Sequence, residues 1–437
     1  MTALIETAPK MDLAIHDMEQ LVEELRAYHA IYSPLFQRRE QRDAAHIYLQ
    51  GLLAALPRKS IEPLVLAVEG VAPPAVRAMP SFISEGRWAD ERLLRQHWQE
   101  VERDLGADDG VLMVDGSDFP KQGVYAAGVK RQYCGELGKR ANCQAGVFVG
   151  YGSTNGYTLL HRRRYLPEAW VTDDAYAARR TPCSIPPAST FKTKPALAQE
   201  MIAEVVKTQG LRCRWVVADE AFGNDPGFLD GVEGLGLWYF AEVPHSTRVW
   251  HKRPATHVPP WRGRGRRPQR ERLVTGAPEV RTGLEVAAAL PIEAWSRQTI
   301  KEGSQGPMVA EFAAMRVSAV REAWPGPEVW LVLRRHMETG ELKTYLGNAP
   351  RDTAWETQVR MSGMRWPIET CLEDRKQLLG MGDDEVRRWP GWHHHMTLVL
   401  LAHFFVVRLS LKLKKSTCSH VTSGGDGLDR RIAPTQF

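Results

Sequence analysis

Residues 111–118 read Val111-Leu112-Met113-Val114-Asp115-Gly116-Ser117-Asp118, and residues 214–219 read Arg214-Trp215-Val216-Val217-Ala218-Asp219. Each is a short apolar run that ends on an acid. Such a run, bounded by turn formers, suits a strand buried on both faces, as in a sheet covered by helices. In sheets of that kind ligands and catalytic groups collect at the carboxyl ends of the strands. Asp115 and Asp219 stand at those ends. The two runs therefore predict an α/β fold and put two carboxylates at its working edge.

The text changes on either side. Before residue 106 it is helical: residues 10 to about 57 carry few Gly or Pro and show apolar spacings of three and four, as in Leu21, Val22, Leu25 and Tyr28. Pro73, Pro74 and Pro80 interrupt it, and helical pattern resumes from Asp90 to Leu105. After the first run, Gly146–Tyr151 and Tyr157–His161 read as strands and Pro195–Thr208 as a helix. Residues 248–272 are rich in Arg, Pro and Gly; residues 307–348 hold β-branched runs such as Val329–Leu333, with Thr339-Gly340 as a hairpin turn. Helical text returns near Pro367 and persists to about Leu413, and Ser416–Phe437 reads as a loose polar tail. The expected organisation is an all-α domain over 1–105, a catalytic α/β core over 106–244 and 346–413, a β-rich insertion over 245–345, and a tail over 414–437.

A third acid completes the set. Glu369 follows Arg365-Trp366-Pro367-Ile368, and Pro367 suits a first helical turn. Lys376, seven residues on, falls on the same helical face. Three carboxylates brought together repel one another and any phosphodiester. A divalent cation removes both problems, and Mg²⁺ prefers such hard oxygen ligands. A pair of ions would serve the attacking and leaving oxygens of an in-line displacement. Arg365 and Lys376 would hold nearby phosphates, the first as a fork and the second as a point charge. Taken singly, each acid also has an ordinary structural reading: an Asp after a strand caps or turns the chain, and a Glu at a helix start complements the dipole.

Composition sets the outer bounds. The chain has 437 residues, more than one ordinary core holds, so two or three domains are expected. Hydrophobic residues make up 43% and charged residues 25%, as in a soluble globular protein. The net charge of +5 is too small to point to nucleic acid by itself, so its placement matters more. Residues 248–272 carry nine Arg or Lys against one acid, Glu271, with Trp250 and Trp261 interleaved. Basic charge with stacking rings suits a surface that tracks DNA, and Arg264, Arg266, Arg267, Trp250 and Trp261 are its candidates. Six scattered cysteines form no C-x-x-C pair, which argues for free thiols in a reducing cytoplasm. The N-terminus has no signal-peptide pattern, and Met396–Leu411, broken by His403 and Arg408, reads as a buried helix rather than a span of about 20 apolar residues. His393-His394-His395 on a helix would point in different directions and could not ligate together. Arg162-Arg163-Arg164 reads either as a phosphate contact or as a surface charge run.

Longer stretches carry a resemblance. VDGSDFPKQGVYAAGVKRQYCGELGKRANCQAGVFVGY (114–151) resembles the first-Asp block of bacterial insertion-sequence transposases. RRRYLPEAW (162–170), FKTKPALA (191–198) and WVVADEAFGND (215–225) resemble the block leading to their second Asp. RWPIETCLEDRKQLLGMGDDEVRRWPGWHHHMTLVLLAHFF (365–405) resembles the block that carries their Glu. In that block the broader group spaces Tyr, Arg, Glu and Lys as Arg365, Glu369 and Lys376 are spaced here, with Ser362 in the tyrosine position. The resemblance implies an RNase H-like core with Asp115, Asp219 and Glu369 as catalytic metal ligands, Asp118 being a rival for the first place. Mg²⁺, as two ions, is the implied cofactor, with Mn²⁺ as an alternative. The implied partners are double-stranded DNA, as terminal inverted repeats and as target, and a second copy when two ends are synapsed; no membrane is implied. The place of work would be the bacterial cytoplasm, at the nucleoid. The 150 residues between Asp219 and Glu369 match the β-rich insertion that related transposases carry there. Two other readings stay open: a metal-dependent nuclease without strand transfer, and an inactive, transposase-derived DNA-binding protein.

Overall fold

A computed structural model describes residues 15–423 apart from 262, 265, 268, 304 and 305. It opens with five helices: α1 (Ile15–Tyr32), α2 (Arg39–Leu53), α3 (Ile61–Glu69), α4 (Pro73–Ser84) and α5 (Asp90–Leu105). In α5, Leu93, Leu94, His97, Trp98, Val101 and Leu105 form one buried face at helical spacing, while Asp90 and Glu91 complement the dipole at its start.

The sheet follows. Its strands β1 (Val111–Pro120), β2 (Lys130–Cys134), β3 (Lys139–Ser153) and β4 (Gly156–Tyr165) are antiparallel neighbours, with β3 between β1 and β4. Short helices α6 (Ala169–Thr172) and α7 (Asp174–Arg180) lead to α8 (Lys194–Gln209). The ends of α8 are written in the sequence: Thr193 accepts from the Ala196 N–H, Pro195 sits in the first turn, and Gly210 closes it at φ 60°. Next come β5 (Trp215–Ala218), α9 (Glu220–Gly223), α10 (Pro226–Gly234) and β6 (Trp238–Val243). β5 runs parallel to β1, and β6 runs parallel to β5. The order across this part is β4-β3-β1-β5-β6.

Residues 245–345 contain β7 (Arg248–Trp250), β8 (Thr256–His257), β9 (Arg272–Leu273), β10 (Arg281–Thr282), α11 (Gly283–Ala289), β11 (Ser296–Gly303), β12 (Gly306–Arg321) and β13 (Trp324–His336), and reach into β14 (Leu342–Gly347). The β-rich texture is as read, but these strands do not stand apart. β14 pairs with β6, so one hydrogen-bonded sheet runs from β10 through β7, β12, β13, β14, β6, β5 and β1 to β3. The expected boundary at 345/346 falls inside β14. Pairing there covers what would be an open edge of β6. Among the described residues only β8 and β9 form a separate two-stranded ribbon.

Three helices finish the described chain: α12 (Trp355–Gly363), α13 (Trp366–Leu378) and α14 (Trp389–Ser423). α14 lies between α2, α4 and α5 on one side and β4 on the other. Its Trp392, Met396, Leu400 and Phe404 are fully buried. Tyr28 donates to the Leu401 carbonyl at 2.9 Å, and Trp98 donates to the Leu160 carbonyl on β4 at 2.9 Å. The first hundred residues, read as a domain of their own, thus share one apolar core with the sheet. By length and composition Trp389–Leu413 could cross a membrane, more than the narrower stretch read from the sequence, yet over half of it is buried inside the protein. The helix also continues to Ser423 where a loose tail was expected from 414; no Gly or Pro stands there to stop it before Gly424. Residues 424–437 lie outside the described residues.

Candidate active site

Register builds the site. Val114 of β1 pairs with Ala218 of β5, so Asp115 and Asp219, the next residues, emerge side by side. Ala218 in turn pairs with Ala241 of β6, which brings Glu242 level with Asp219. Three adjacent parallel strands each deliver one acid to the same edge. Asp219 also caps α9, its Oδ1 accepting from the Ala221 N–H at 3.0 Å, which is the ordinary structural role of an Asp after a strand.

Glu369 comes from the first turn of α13, with Pro367 ahead of it. Arg365 ties it to the strands: its Nη2 lies 2.5 Å from Glu369 Oε1 and its Nη1 3.9 Å from Asp115 Oδ2. Among the described residues no three His, Cys, Asp or Glu side chains converge closely enough to hold a metal ion. The expected ligand triad is therefore gathered around the Arg365 guanidinium instead. The Arg365 charge also acts on Asp219, so one guanidinium offsets the repulsion among the three acids.

Burial, then the Asp219 carboxylate, pushes the Asp115 carboxyl up to about 7, with Glu369 adding to the rise and Arg365 and the Gly116 N–H opposing it. Asp219 is also raised, by burial first, against Arg365 and the N–H groups of Phe222 and Ala221. Burial works against the charge on Arg365, but Glu369, Asp115, Asp219 and Glu242 outweigh it and raise its pKa. Carboxylate oxygens such as these have the donor chemistry for a divalent cation, but as placed around Arg365 they are not close enough to one another to hold one.

Not every expected contact forms. Lys376 donates to the Asp118 carbonyl at 3.1 Å and pairs with Glu136, so its ammonium is engaged away from the carboxylates. Asp118 accepts from the Gly135 N–H at 2.8 Å and holds a loop, which favours Asp115 as the first acid. Ser362 is buried and donates to the Val359 carbonyl at 2.7 Å, a contact within its own helix.

A cavity of about 240 Å³ adjoins Glu369 and Arg365 and is lined also by Glu242, Lys301, Arg334, Lys343 and Trp366. Lys343 sits 3.1 Å from Glu242, and Lys301 lies 3.5 Å over the Trp366 ring. None of these was picked out from the sequence. Trp238-Tyr239-Phe240-Ala241-Glu242 has the same form as the other two runs, an apolar stretch closing on an acid, but Val243 extends the strand past it and hides the signal.

The basic segment divides. Trp261 is 46% exposed with the Arg267 guanidinium 5.3 Å over its ring, and Arg264 and Arg266 are exposed beside it. Trp250 is 2% exposed in β7, paired across to Ser318, so its ring is part of the core and offers nothing to stack on. His393, His394 and His395 point apart as expected, to the Trp389 carbonyl, the Ile83 and Trp88 carbonyls, and the Tyr48 hydroxyl. Arg162 and Arg164 are buried, which corrects the surface-charge reading of that run. Cys134, Cys143, Cys183, Cys213 and Cys371 are free thiols.

Comparison with known proteins adds a family. Over 228 residues the chain is 24% identical to the probable transposase for insertion sequence element IS701 of Microchaete diplosiphon, covering 52% of this chain and 55% of that protein, so it spans about half the length of this curated relative. Among solved structures, a piggyBac transposase synaptic complex with hairpin DNA matches over 91% of this chain and 74% of its own, at 10% identity and a TM-score of 0.41. The NurA nuclease of Sulfolobus solfataricus matches over 77% of this chain and 94% of its own, at 10% identity and a TM-score of 0.25. Both scores are too low to establish a shared fold, so the assignment rests on sequence. The family model of the DDE superfamily endonucleases matches residues 32–307, more than half of the chain, and takes in Asp115 and Asp219 but stops before Glu369. This agrees with the resemblance read from the acid blocks, and the chain belongs to the DDE superfamily endonucleases.

Proposed function

We propose that this protein is an insertion-sequence DNA transposase that cuts and joins DNA at Asp115, Asp219 and Glu369. The observation that carries the reading is the β1–β5 register, which makes Asp115 and Asp219 neighbours, with Glu369 tied to Asp115 through Arg365. An RNase H-like core is supported by the strand order β4-β3-β1-β5-β6, antiparallel around β3 and parallel from β1 to β6.

Asp115, Asp219 and Glu369 would hold divalent metal, two Mg²⁺ by the hardness of their oxygens, with Mn²⁺ as the alternative. When bound, such ions activate an attacking water or 3′-hydroxyl and offset charge on the leaving oxygen. The protein's own part is positioning. β1 and β5 fix two carboxylates on a rigid edge, while α13 brings the third from the opposite side. Arg365 holds Glu369 toward Asp115, and its planar fork suits a backbone phosphate arriving there. One strand is hydrolysed to leave a 3′-hydroxyl, which then attacks a target phosphodiester in line. Terminal inverted repeats and target are both duplex DNA, and two copies of the chain would bring two ends together. Trp261, Arg264, Arg266 and Arg267 would track the duplex from the β8–β9 ribbon. α1–α5 would recognise the element ends, and the work would be done in the cytoplasm at the nucleoid.

A nuclease that does not join is the second reading, favoured by the family's description as endonucleases. Cleavage and joining of the source element's own ends, with Mg²⁺ or with EDTA, separates the two. Wild type is expected to cut and join only with metal. Asp115→Asn, Asp219→Asn and Glu369→Gln should each bind DNA and do neither. Cutting without joined product moves the protein to the nuclease reading. A variant that still cuts removes its residue from the site, and binding without any cutting identifies an inactive DNA-binding descendant.

A further inference from the structure

Alternation along β4 puts Arg162 and Arg164 on one face and Arg163 on the other. Two of the three are spoken for. Arg162 pairs with Asp90 and donates to Thr397 Oγ1 at 2.6 Å, and Arg163 bonds Glu200 at 2.8 Å and pairs with Glu204. Arg164 is different. It is 1% exposed, and none of its three guanidinium nitrogens meets a hydrogen-bond acceptor among the described residues. Its Cζ lies 5.0 Å from the Trp392 ring and 5.9 Å from the Trp389 ring, so two indoles hold the group while leaving its N–H donors unused. Asp384 is the carboxylate that acts on it most; its Oδ1 is bonded to Lys121 at 3.1 Å, and its Oδ2 is buried with no hydrogen bond to Arg164 or to any other described residue. Burial lowers the Arg164 pKa to about 9, so the group is still a cation at neutral pH. A buried guanidinium with no acceptor is costly, and the fold gains from any anion that reaches it.

Arg164 lines a cavity of about 520 Å³ between the end of β4, the loop 186–192 and the first turn of α14. Ser189, Thr190 and Lys192 form the facing wall, and Trp389, Pro390 and His393 supply the start of a 35-residue helix, whose dipole is positive at this end although the Trp389 N–H is taken by the Cys183 carbonyl and Pro390 has none. Of the acids on the wall, Asp90 is taken by Arg162, and Glu204 by His161 and Arg163; Glu91 is an exposed rim residue. Lys192 is paired with Glu200 at 2.6 Å, which leaves the buried Arg164 guanidinium as the charge on this wall with no hydrogen-bond partner among the described residues. We propose that this cavity is an oxyanion site, separate from the carboxylate edge, in which Arg164 and the α14 N-terminus bind a phosphate group with help from the Ser189 and Thr190 hydroxyls. A tetrahedral phosphate matches a forked guanidinium beside hydroxyl donors and a helix start better than a halide does. The phosphate can be inorganic, part of a small ester, or a backbone phosphate of DNA.

Thermal unfolding of the full chain in graded inorganic phosphate, against sodium chloride at equal ionic strength, tests the site. Wild type should gain a saturable rise in Tm in phosphate alone. Arg164→Met, which keeps the stem between the indoles, should lose that rise. Should Arg164→Met fail to fold, Thr190→Val with Lys192→Met on the exposed wall takes its place and should weaken phosphate binding on the order of tenfold. Equal Tm in phosphate and chloride, or a folded variant with the wild-type phosphate response, overturns the proposal. Anisotropy with a short labelled duplex identifies the source of the phosphate. If phosphate competes with the duplex and Arg164→Met weakens it, the group is on the backbone. If duplex binding is unchanged while the phosphate response is gone, the ligand is a free phosphate or small ester.

Discussion

Replace Arg365 by Gln and Asp115, Asp219 and Glu369 lose the guanidinium they share. Asp115, Asp219 and Glu369 would then face one another with Glu242 nearby, and Asp115 is already strained toward its protonated form by burial and by Asp219. Removing one partner from a fully buried ion pair costs about 3–5 kcal/mol. Arg365 is 28% exposed and Glu369 37%, so water recovers part of that, and about 2 kcal/mol is the expected loss at pH 8 in EDTA. Urea denaturation of Arg365→Gln beside wild type, both in EDTA, reads the loss as a lower midpoint at constant slope. Adding Mg²⁺ should then recover more stability in the variant than in wild type, because the same oxygens accept either cation. A midpoint within about 0.5 kcal/mol of wild type in EDTA, the range of an ordinary surface substitution, would show that Arg365 is not what neutralises this edge.

Acid should unfold the protein through its buried imidazoles. Burial lowers His97 and His394 to about 4, so the folded state keeps both neutral while the unfolded chain takes up protons below about 6.5. Stability is therefore full above 6.5 and falls as the pH drops from 6.5 toward 4, by about 2 kcal/mol per histidine at pH 5; urea midpoints that do not move between pH 7.5 and pH 5 would refute this. The two tryptophans of the basic segment should separate cleanly. Trp250→Ala, deep in β7, should cost about 3–5 kcal/mol of stability, whereas Trp261→Ala should leave stability alone and weaken DNA binding by about 1–3 kcal/mol. Wild-type DNA affinity in Trp261→Ala would remove the β8–β9 ribbon from the DNA surface.

What could be read in the sequence was what is local. Asp115 and Asp219 were legible because a buried strand writes itself as a continuous apolar run, and the residue that follows it must stand at the strand end. α5 was legible from its contiguous apolar spacing, and α8 from Pro195 in its first turn and the breaker-free run that follows. Glu242 was not, although its strand has the same apolar lead, because its importance comes from being third in a row of parallel strands, a fact of pairing that no single run contains. The same holds for Lys343 and Arg334, which reach the edge only because β14 pairs with β6. Trp250 was misread for the opposite reason: a basic neighbourhood in the sequence says nothing about which way one ring points once β7 joins β12. The Arg162–Arg164 run looked like surface because charge usually is, and burial of two of its members depends on α14, more than two hundred residues later.

That dependence has a consequence for synthesis. α1–α5 leave the ribosome first, yet the apolar faces that gather Tyr28, Tyr48 and Trp98 close only against α14 and β4. Asp115 and Asp219 can come together once residue 219 is made, but Glu369 is supplied later, and the helix that seals the helical layer later still. A growing chain thus carries two of the three acids and an open apolar flank until α13 and α14 are made. α14 both covers the flank and follows directly on the helix that carries Glu369. Any product that stops before residue 389 would keep that flank open to chaperones and proteases, which ties a complete acid set to a covered core.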